Sequence, residues 1–379
     1  MRVLFLTASY PTAEGPAIGI FVKEHARAAA EHAEVAVVHL DRADVRGVHV
    51  VEEPHEEFAT WRARYPRRPA AISYAGNVAA ALAAYRRVRR AGFDPDVIHA
   101  HFFLAGVPAV VLGRLFRKPV VITEQWSVFL PDDPTTLATL PRRAAKFAFE
   151  HADVVMPVSD ALRAGIEAQG IRAKFRVVPN VFDEALFRPN GARDNEGRPA
   201  RLLTVGAMYE AKGYDYLLEA VAILARERRD FTLDVVGDGA DLLPQYEELR
   251  ERLGVEGLVS FLGLRPKEEV AARMRAADLF VITSRYDSNP CVLIEALGSG
   301  VPAVGTAVGG IPEMIRNGSG LLARPHDPAD IARQIGAALD GLGAFDREAI
   351  AADARARFGR AQIGRAFAEI YGEALARRR

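Results

Sequence analysis

The sequence predicts an α/β protein built from two consecutive, doubly wound parallel-sheet domains. Short apolar runs alternate with longer segments of helical spacing along the whole chain, which is typical of βαβ units. The chain has 379 residues, enough for two domains that each bury a core. Open parallel sheets bind ligands beyond the carboxyl ends of their strands, so we expect a site in a cleft between two facing domains.

The first domain is expected to span residues 1–187. It opens with a buried-strand run at residues 2–7, and a glycine-containing loop leads from this strand into a helix at residues 22–31. Further strand-like apolar runs follow at residues 35–40, 97–100, 120–123, 154–157 and 176–179. Residues 188–200 have no apolar core and predict a linker at the start of the second domain.

The second domain is expected to span residues 188–357, and the same alternation resumes in it. Strands are predicted at residues 201–205, 232–236, 259–262 and 279–283, and helices at residues 214–226, 267–276 and 292–298. A last helix is predicted at residues 358–379, where Phe367, Ile370, Tyr371 and Leu375 recur at helical spacing. The pattern alone does not decide which domain this helix packs against.

Composition excludes several classes of protein. The 49 basic and 49 acidic residues balance, so the charge gives no reason to expect nucleic acid as a partner. The single cysteine, Cys291, excludes an internal disulfide framework and a cysteine metal cluster. The apolar start is too short for a signal sequence, and no apolar run reaches 18 residues. We therefore expect a cytoplasmic protein, soluble or peripheral at the inner face of the cell membrane.

Two acids, Asp287 and Glu295, stand eight positions apart where a loop runs into an apolar, helix-prone segment. Carboxylates suit sugar hydroxyls, and the backbone N–H groups that open a helix suit a phosphate. A capping aspartate beside an exposed glutamate is the alternative interpretation. Four glycines follow and favour a tightly packed ligand loop, namely Gly298, Gly300, Gly309 and Gly310. Together these features indicate a site for a sugar-nucleotide.

Residues 283–313 resemble the signature of the family 4 glycosyltransferases, in which an acidic pair precedes an alanine, glycines and a proline. Asp287 stands where the family usually has a glutamate, and the following positions match the pattern: Glu295, Ala296, Gly300, Pro302, Gly309, Gly310, Pro312 and Glu313. The resemblance implies a retaining enzyme of the GT-B fold that needs no metal and no cofactor. It further implies an acceptor-binding first domain, a donor-binding second domain and a last helix that crosses back to the first domain.

The resemblance assigns donor-binding roles to residues of the second domain. Lys212 would meet the phosphates, Asp287 the sugar and Glu295 the ribose, while Ala207 replaces an arginine that the family usually has. The other donor-site residues that we expect on this basis are Gly206, Gly237, Leu264, Asn289, Cys291 and Val292. Leu264 would flank the base. Lys212 is notable because only six of the 49 basic residues are lysine.

In the first domain the resemblance points to Gly19 in the opening loop, against the donor phosphate. His99 and His101 flank Ala100 at a strand end, and we expect only His101 to face the cleft, with packing as the alternative. No third ligand lies near this histidine pair in sequence, so we expect no metal. Gln125 stands where many relatives have histidine; it can bind a hydroxyl but cannot act as a base. His101 and Glu124 therefore remain the acceptor-side candidates.

Residues 62–90 contain eight arginines and no acid. With the apolar residues between them they could form a basic amphipathic surface that contacts an anionic membrane carrying a lipid-linked acceptor. The alternative is a solvated arginine face. Both interpretations are compatible with the sequence.

The predicted function is transfer of a sugar from a nucleotide-sugar, with a UDP-sugar favoured, to an acceptor hydroxyl with retention of configuration. The acceptor would be a sugar, a lipid-linked glycan or a small molecule, in polysaccharide, glycolipid or metabolite biosynthesis. No residue offers a nucleophilic carboxylate, so we expect front-side displacement with Asp287, Lys212, His101 and Gln125 as catalytic residues. The alternatives are a GT-B sugar-nucleotide epimerase and a non-catalytic sugar-nucleotide binding protein.

Overall fold

A computed structural model describes residues 1–12, 15, 18–54, 57–189, 197–239, 241–316 and 318–377. The chain forms two compact units. The first comprises Met1–Phe129, Pro134–Val181 and Arg360–Arg379, and the second comprises Leu130–Asp133 and Phe182–Gly359. Each unit is an α/β structure around one sheet, which confirms the prediction of two doubly wound domains.

The first unit is built on a seven-stranded sheet. Its elements are β1 (Arg2–Thr7), α1 (Ile20–Ala30), β2 (Glu34–Ala43), β3 (His49–Glu53), β4 (Ala59–Pro66), α2 (Ala70–Arg90), β5 (Val97–His101), α3 (Phe102–Phe116), β6 (Val120–Glu124), α4 (Thr139–His151), β7 (Val154–Pro157) and α5 (Asp160–Ala168). The strand order is β3-β4-β2-β1-β5-β6-β7, and the pairings described are parallel except that of β3 with β4. The chain changes direction across the sheet between β1 and β5.

The second unit is built on a six-stranded parallel sheet. Its elements are β8 (Ala200–Val205), α6 (Tyr214–Leu224), β9 (Phe231–Val236), α7 (Leu243–Arg252), β10 (Val259–Gly263), α8 (Lys267–Ala276), β11 (Leu279–Ile282), α9 (Cys291–Gly298), β12 (Ala303–Thr306), α10 (Ile311–Met314), β13 (Gly320–Ala323), α11 (Pro328–Asp340) and α12 (Arg347–Phe358). The strand order is β10-β9-β8-β11-β12-β13. The topological switch point therefore lies between β8 and β11, where ligands of such sheets bind.

The last helix, α13 (Arg360–Ala376), packs in the first unit. Its apolar residues Phe367, Ile370 and Tyr371 are buried against α1 and one face of the sheet. Gly364 allows the close approach, because a Cβ atom there would overlap the carbonyl oxygen of Ala28. The helix thus completes the hydrophobic core on the face that α1 alone does not cover.

The strand predicted at residues 176–179 is wrong. The segment runs beside β7 and exchanges single backbone hydrogen bonds with it, but only Phe175 forms a bridge, to Val155. Pro157 in β7 has no N–H group to donate, so the ladder cannot continue along the segment. Most of the predicted linker, residues 190–196, lies outside the described residues.

The arginine-rich stretch 62–90 is divided between two elements, β4 and α2. Acids from neighbouring segments pair with several of its arginines, as Glu53 does with Arg62 at 2.6 Å and Asp94 with Arg89 at 2.9 Å. Acids outside the stretch therefore balance part of its charge. Among the described residues, no helix is both long enough and apolar enough to cross a membrane.

Candidate functional site

The loops after β8 and β11 meet at the switch point of the second unit. The Thr283 hydroxyl donates to the carbonyl of Gly213 at 3.0 Å, and the N–H of Arg285 donates to the carbonyl of Ala211 at 2.7 Å. A Cβ atom at Gly213 would overlap the carbonyl oxygen of Thr283. These contacts pack the two loops against each other, so side chains from distant parts of the sequence come together.

The contact of the two loops places Lys212 beside Asp287. Lys212 Nζ lies 2.5 Å from Asp287 Oδ2, and the two side chains are 28% and 13% exposed. Ser284 Oγ is 3.5 Å from the same carboxylate oxygen. The structure therefore brings together the two residues that the sequence assigned to phosphate and sugar.

Gly309 and Gly310 hold the backbone of Asp287. The N–H of Gly310 donates to the carbonyl of Asp287 at 3.0 Å. Gly309 has φ +48°, and a Cβ atom on it would overlap the same carbonyl oxygen. We predicted these glycines as part of a ligand loop, and their contacts hold the backbone of the acid that follows β11.

Glu295 lies in α9 with its side chain 14% exposed, and Lys267 Nζ is 4.0 Å from its carboxylate. Lys267 is the first residue of α8 and sits 5.5 Å from the ring centre of Phe187. Sequence reasoning missed this lysine. The only available signal was the rarity of lysine in the chain, which had already drawn attention to Lys212.

Cys291 is the first residue of α9, and its thiol interacts electrostatically with the four charged side chains described above, Lys212, Lys267, Asp287 and Glu295. Burial raises the pKa of its thiol, and the Glu295 and Asp287 carboxylates raise it further. Asn289 and Ser288, just before the helix, are buried, and Ser288 Oγ has no hydrogen-bond partner in the described part of the chain. Val292 packs against the core of the unit.

Gly206 and Gly237 belong to two loops that cross in close contact. The N–H of Gly206 donates to the carbonyl of Val236 at 2.9 Å, and a Cβ atom on Gly237 would overlap the carbonyl oxygen of Gly206. Backbone packing thus requires glycine at Gly237, whereas a Cβ atom on Gly206 would meet only the Tyr214 hydroxyl, at 3.4 Å. Leu264, which follows β10, is 65% exposed and covers no core.

In the first unit, Gly19 precedes α1 with φ +71°. A Cβ atom there would lie 2.6 Å from the carbonyl carbon of Ser9, closer than any real contact. The loop between β1 and α1 therefore closes tightly on itself at this glycine. A left-handed conformation and a close approach together explain the residue type.

We expected only His101 to face the cleft, but strand geometry does not separate it from His99. His99 and His101 are two residues apart on β5 and therefore share a face, and their rings stack with centres 4.6 Å apart. His99 contacts the hydroxyls of Tyr371 and Thr123, both at 2.7 Å. Burial lowers the pKa of His101 well below its usual value, and the neighbouring His99 and His25 lower it further. His101 is therefore a neutral side chain.

Glu124 ends β6 and is fully buried. Its carboxylate accepts backbone N–H groups from Phe103 at 2.8 Å, Gln125 at 3.0 Å and Trp126 at 2.9 Å. Burial raises its pKa to about 7 against these hydrogen bonds. The contacts tie β6 to the start of α3, so this acid supports the backbone around Gln125.

Gln125 follows Glu124 and is half-buried. Its Nε2 lies 3.3 Å from Nδ1 of His25 on α1. Sequence reasoning assigned no role to His25. Over the described ranges, no group of three or more His, Cys, Asp or Glu side chains is placed to hold a metal ion.

Two family models match the chain. Residues 17–181 match a "Glycosyl transferase 4-like domain", and residues 199–341 match "Glycosyl transferases group 1". A D-inositol 3-phosphate glycosyltransferase of Corynebacterium kroppenstedtii is 30% identical over 311 residues, which are 74% of this chain and 67% of the relative. The enzyme of the same name from Corynebacterium efficiens is 29% identical over 90% of this chain and 82% of the relative.

Solved structures share the fold at low sequence identity. HepE of Anabaena, in complex with UDP, aligns with a TM-score of 0.76 at 20% identity, covering 98% of this chain and 100% of HepE. Sucrose-phosphate synthase of Thermosynechococcus elongatus aligns with a TM-score of 0.77 at 19% identity, covering 99% of both chains.

Proposed function

Because the chain belongs to the family 4 glycosyltransferases of the GT-B fold, which transfer a sugar from a nucleotide-sugar, we propose the finer steps of its reaction. The donor is a UDP-sugar, the acceptor is a hydroxyl of a sugar, a lipid-linked glycan or a small molecule, and the configuration at the anomeric carbon is retained. One observation carries the proposal: Lys212 and Asp287 form a pair across the switch point between β8 and β11.

The donor diphosphate binds at the start of α9 and against Lys212. The eight-residue helix α9 presents free N–H groups at its first turn, and the buried Ser288 hydroxyl beside them has no partner among the described residues. An ammonium group has three N–H donors, so Lys212 can bind a phosphate oxygen while it stays paired with Asp287. This arrangement supports a diphosphate site that lacks the usual arginine, since Ala207 occupies that position.

The carboxylates of Asp287 and Glu295 bind hydroxyl groups of the donor. Each is mostly buried and each has one lysine within 4.0 Å, so its charge is balanced without a ligand. Carboxylate oxygens accept hydrogen bonds from hydroxyls. We assign the transferred sugar to Asp287 and the ribose to Glu295.

The transfer is a front-side displacement. The acceptor oxygen forms a bond to the anomeric carbon on the face from which the diphosphate leaves, and the bond from that carbon to the phosphate oxygen breaks. The acceptor proton passes to the departing phosphate oxygen, giving a glycoside and a nucleoside diphosphate. Lys212 and the N–H groups of α9 stabilise the negative charge that develops on the leaving group, and we propose that they do so without a metal.

Two considerations favour uridine as the base and a broad class of acceptors. HepE, which shares the fold, is described in complexes with UDP and UDP-glucose. The relatives named D-inositol 3-phosphate glycosyltransferase and glycogen synthase differ in the acceptor that their names imply. We therefore assign the donor more narrowly than the acceptor.

The test is an incubation with UDP-sugars and a panel of hydroxyl acceptors, in the presence and absence of EDTA, followed by NMR of the product. We expect acceptor-dependent release of UDP, a product with the anomeric configuration of the donor, and equal rates with EDTA. An inverted product would contradict retention, and loss of activity in EDTA would contradict metal independence. Epimerised donor without an acceptor would favour the epimerase, and binding without turnover would favour a binding protein.

A further inference from the structure

The amide of Gln125 is bound on one side by a histidine whose own orientation is fixed. His25 is completely buried on α1, between the ring of His101 at 5.4 Å and the ring of Phe367 at 5.2 Å. Its Nε2 lies 3.2 Å from the carbonyl oxygen of Pro179, and its Nδ1 lies 3.3 Å from Gln125 Nε2. The imidazole thus makes one polar contact at each nitrogen.

The protonation of His25 follows from these two contacts. A carbonyl oxygen only accepts, so His25 Nε2 must carry the hydrogen that is donated to Pro179. Burial lowers the pKa of His25 to about 4, so the ring is neutral at physiological pH and Nδ1 has no hydrogen. Nδ1 is then an acceptor, and only the NH₂ end of the Gln125 amide can satisfy it.

The opposite end of the amide lacks a partner. Gln125 Oε1 is buried and has no hydrogen-bond partner within the described ranges. The same holds for both nitrogens of His101, whose ring lies against His25. Buried polar atoms are nearly always paired, so an unpaired carbonyl oxygen and an unpaired imidazole on two neighbours of His25 indicate a place for a ligand that carries a hydroxyl group.

We propose that His25 is a positioning residue that fixes the Gln125 amide with Oε1 presented as the acceptor for a substrate hydroxyl. The proposal rests on the proposed function, because it takes Gln125 as a residue that contacts substrate. The proposal defines the chemistry at this position: Gln125 accepts a hydrogen bond from a hydroxyl, and the neutral His101 ring against His25 has one donor and one acceptor nitrogen. A substrate analogue in which this hydroxyl is replaced by hydrogen should therefore lose the contact.

The first test observes the amide in the full chain without substrate. In a ¹H–¹⁵N NMR spectrum, the Gln125 side-chain signals are those missing from Gln125→Leu, a substitution at a half-buried position. We expect one of the two amide protons to be shifted from the free-amide position and protected from exchange with water. Two unshifted, rapidly exchanging protons would overturn the proposal whether or not the protein transfers a sugar.

The second test is a double-mutant cycle on sugar transfer with His25→Leu and Gln125→Leu. Loss of orientation at the reacting groups costs about 10²-fold, so we expect each variant to lose about that factor in kcat. The double variant should lose no more than either single one, because both changes remove the same contact. Binding of UDP should be unchanged, since the side chains assigned to the nucleotide lie in the second unit and Gly19 is not altered.

The control is Tyr85→Leu, which removes another fully buried ring from the first unit. It should lower the unfolding temperature and leave kcat unchanged. If the fold loss in kcat of the variant carrying both His25→Leu and Gln125→Leu equalled the product of the two single losses, the proposal would be overturned. If the wild-type protein transfers no sugar, the proposed function fails, while the amide signals still decide the orientation of Gln125. If His25→Leu does not fold, those signals alone decide it.

Discussion

The ammonium group of Lys212 lies 2.5 Å from the carboxylate of Asp287, although 75 positions separate the two residues in sequence. Lys212 follows β8 and Asp287 follows β11, and these strands are neighbours in the sheet. The pair therefore joins the two halves of the second unit at its switch point. The structure thus holds together the cation that we propose for a phosphate and the carboxylate that we propose for a sugar.

Removal of either member of this pair should impair transfer. Lys212→Met removes the cation assigned to the leaving group, and Asp287→Asn removes the carboxylate assigned to the sugar. Loss of one preorganised electrostatic partner costs about 10²–10³-fold in kcat, and we expect an effect of this size for each variant. The double variant should show a coupling of about 0.5–3 kcal/mol, because the residues are in contact.

The matched control for this cycle is Arg228→Met, which breaks an ion pair with Asp230 in the same unit. Steady-state kinetics of this variant should equal those of the wild type. If the effects of Lys212→Met and Asp287→Asn on kcat were strictly additive, the two residues would act separately, which would contradict their role as a coupled pair.

Glu295→Ala should weaken nucleotide binding. The variant removes a carboxylate that accepts hydrogen bonds, and we expect a loss of about 1–3 kcal/mol in the free energy of UDP binding, measured by calorimetry. Glu219→Ala, at an exposed position on α6, serves as the control and should bind UDP as the wild type does. Unchanged affinity in Glu295→Ala would remove this residue from the donor site.

Gly309→Ala should disturb donor binding through the backbone of Asp287. A Cβ atom at Gly309 would overlap the Asp287 carbonyl oxygen, whereas a Cβ atom at Gly254 would meet nothing within 4 Å. Both glycines have positive φ, so an alanine at either position costs about 1–2 kcal/mol of backbone strain. Gly254→Ala therefore reproduces the strain of Gly309→Ala without its clash. We expect Gly309→Ala to lose more stability than Gly254→Ala in thermal unfolding, and to be the variant that binds UDP more weakly. Equal behaviour of the two would contradict the role of Gly309.

Glu124 should titrate near neutral pH. Its pKa is raised to about 7 by burial, so a ¹³C NMR titration of the carboxyl carbon, assigned with Glu124→Gln, should have its midpoint there. Because the folded protein keeps this proton up to about pH 7 and the unfolded chain loses it near 4.5, folding takes up a proton between these values. The contribution to stability is complete below pH 4.5 and is lost as the pH rises through 7.

The same shift predicts how stability depends on pH. As the pH rises from 5 to 7, ionisation of the Glu124 carboxyl should lower the free energy of unfolding of the first unit by at most about 1.4 kcal/mol per pH unit. Glu124→Gln should make that decline shallower. Both tryptophans of the chain, Trp61 and Trp126, lie in the first unit, so their fluorescence reports its unfolding by denaturant. An NMR midpoint below pH 5 would contradict the shift.

Apolar strands that end in glycine-containing loops were predictable from the sequence, and so were the loops that carry Lys212 and Asp287. The edge strand β3 and its neighbour β4 were not, because charged residues interrupt the apolar run in both. The shared face of His99 and His101 was predictable from strand geometry and was misjudged. The contacts of Lys267 with Glu295 and of His25 with Gln125 depend on tertiary packing across 28 and 100 positions, which no local pattern specifies.

The central claim is that Lys212 and its neighbours at the switch point bind the diphosphate of a nucleotide-sugar. Calorimetric titration of UDP, GDP, ADP and TDP into the wild type and into Lys212→Met tests it most directly. We predict that UDP binds the wild type most tightly and that Lys212→Met weakens this binding at least tenfold, as loss of a charge-assisted hydrogen bond of about 1.5–3 kcal/mol requires. Binding of none of the four nucleotides, or equal UDP affinity in Lys212→Met, would contradict the claim.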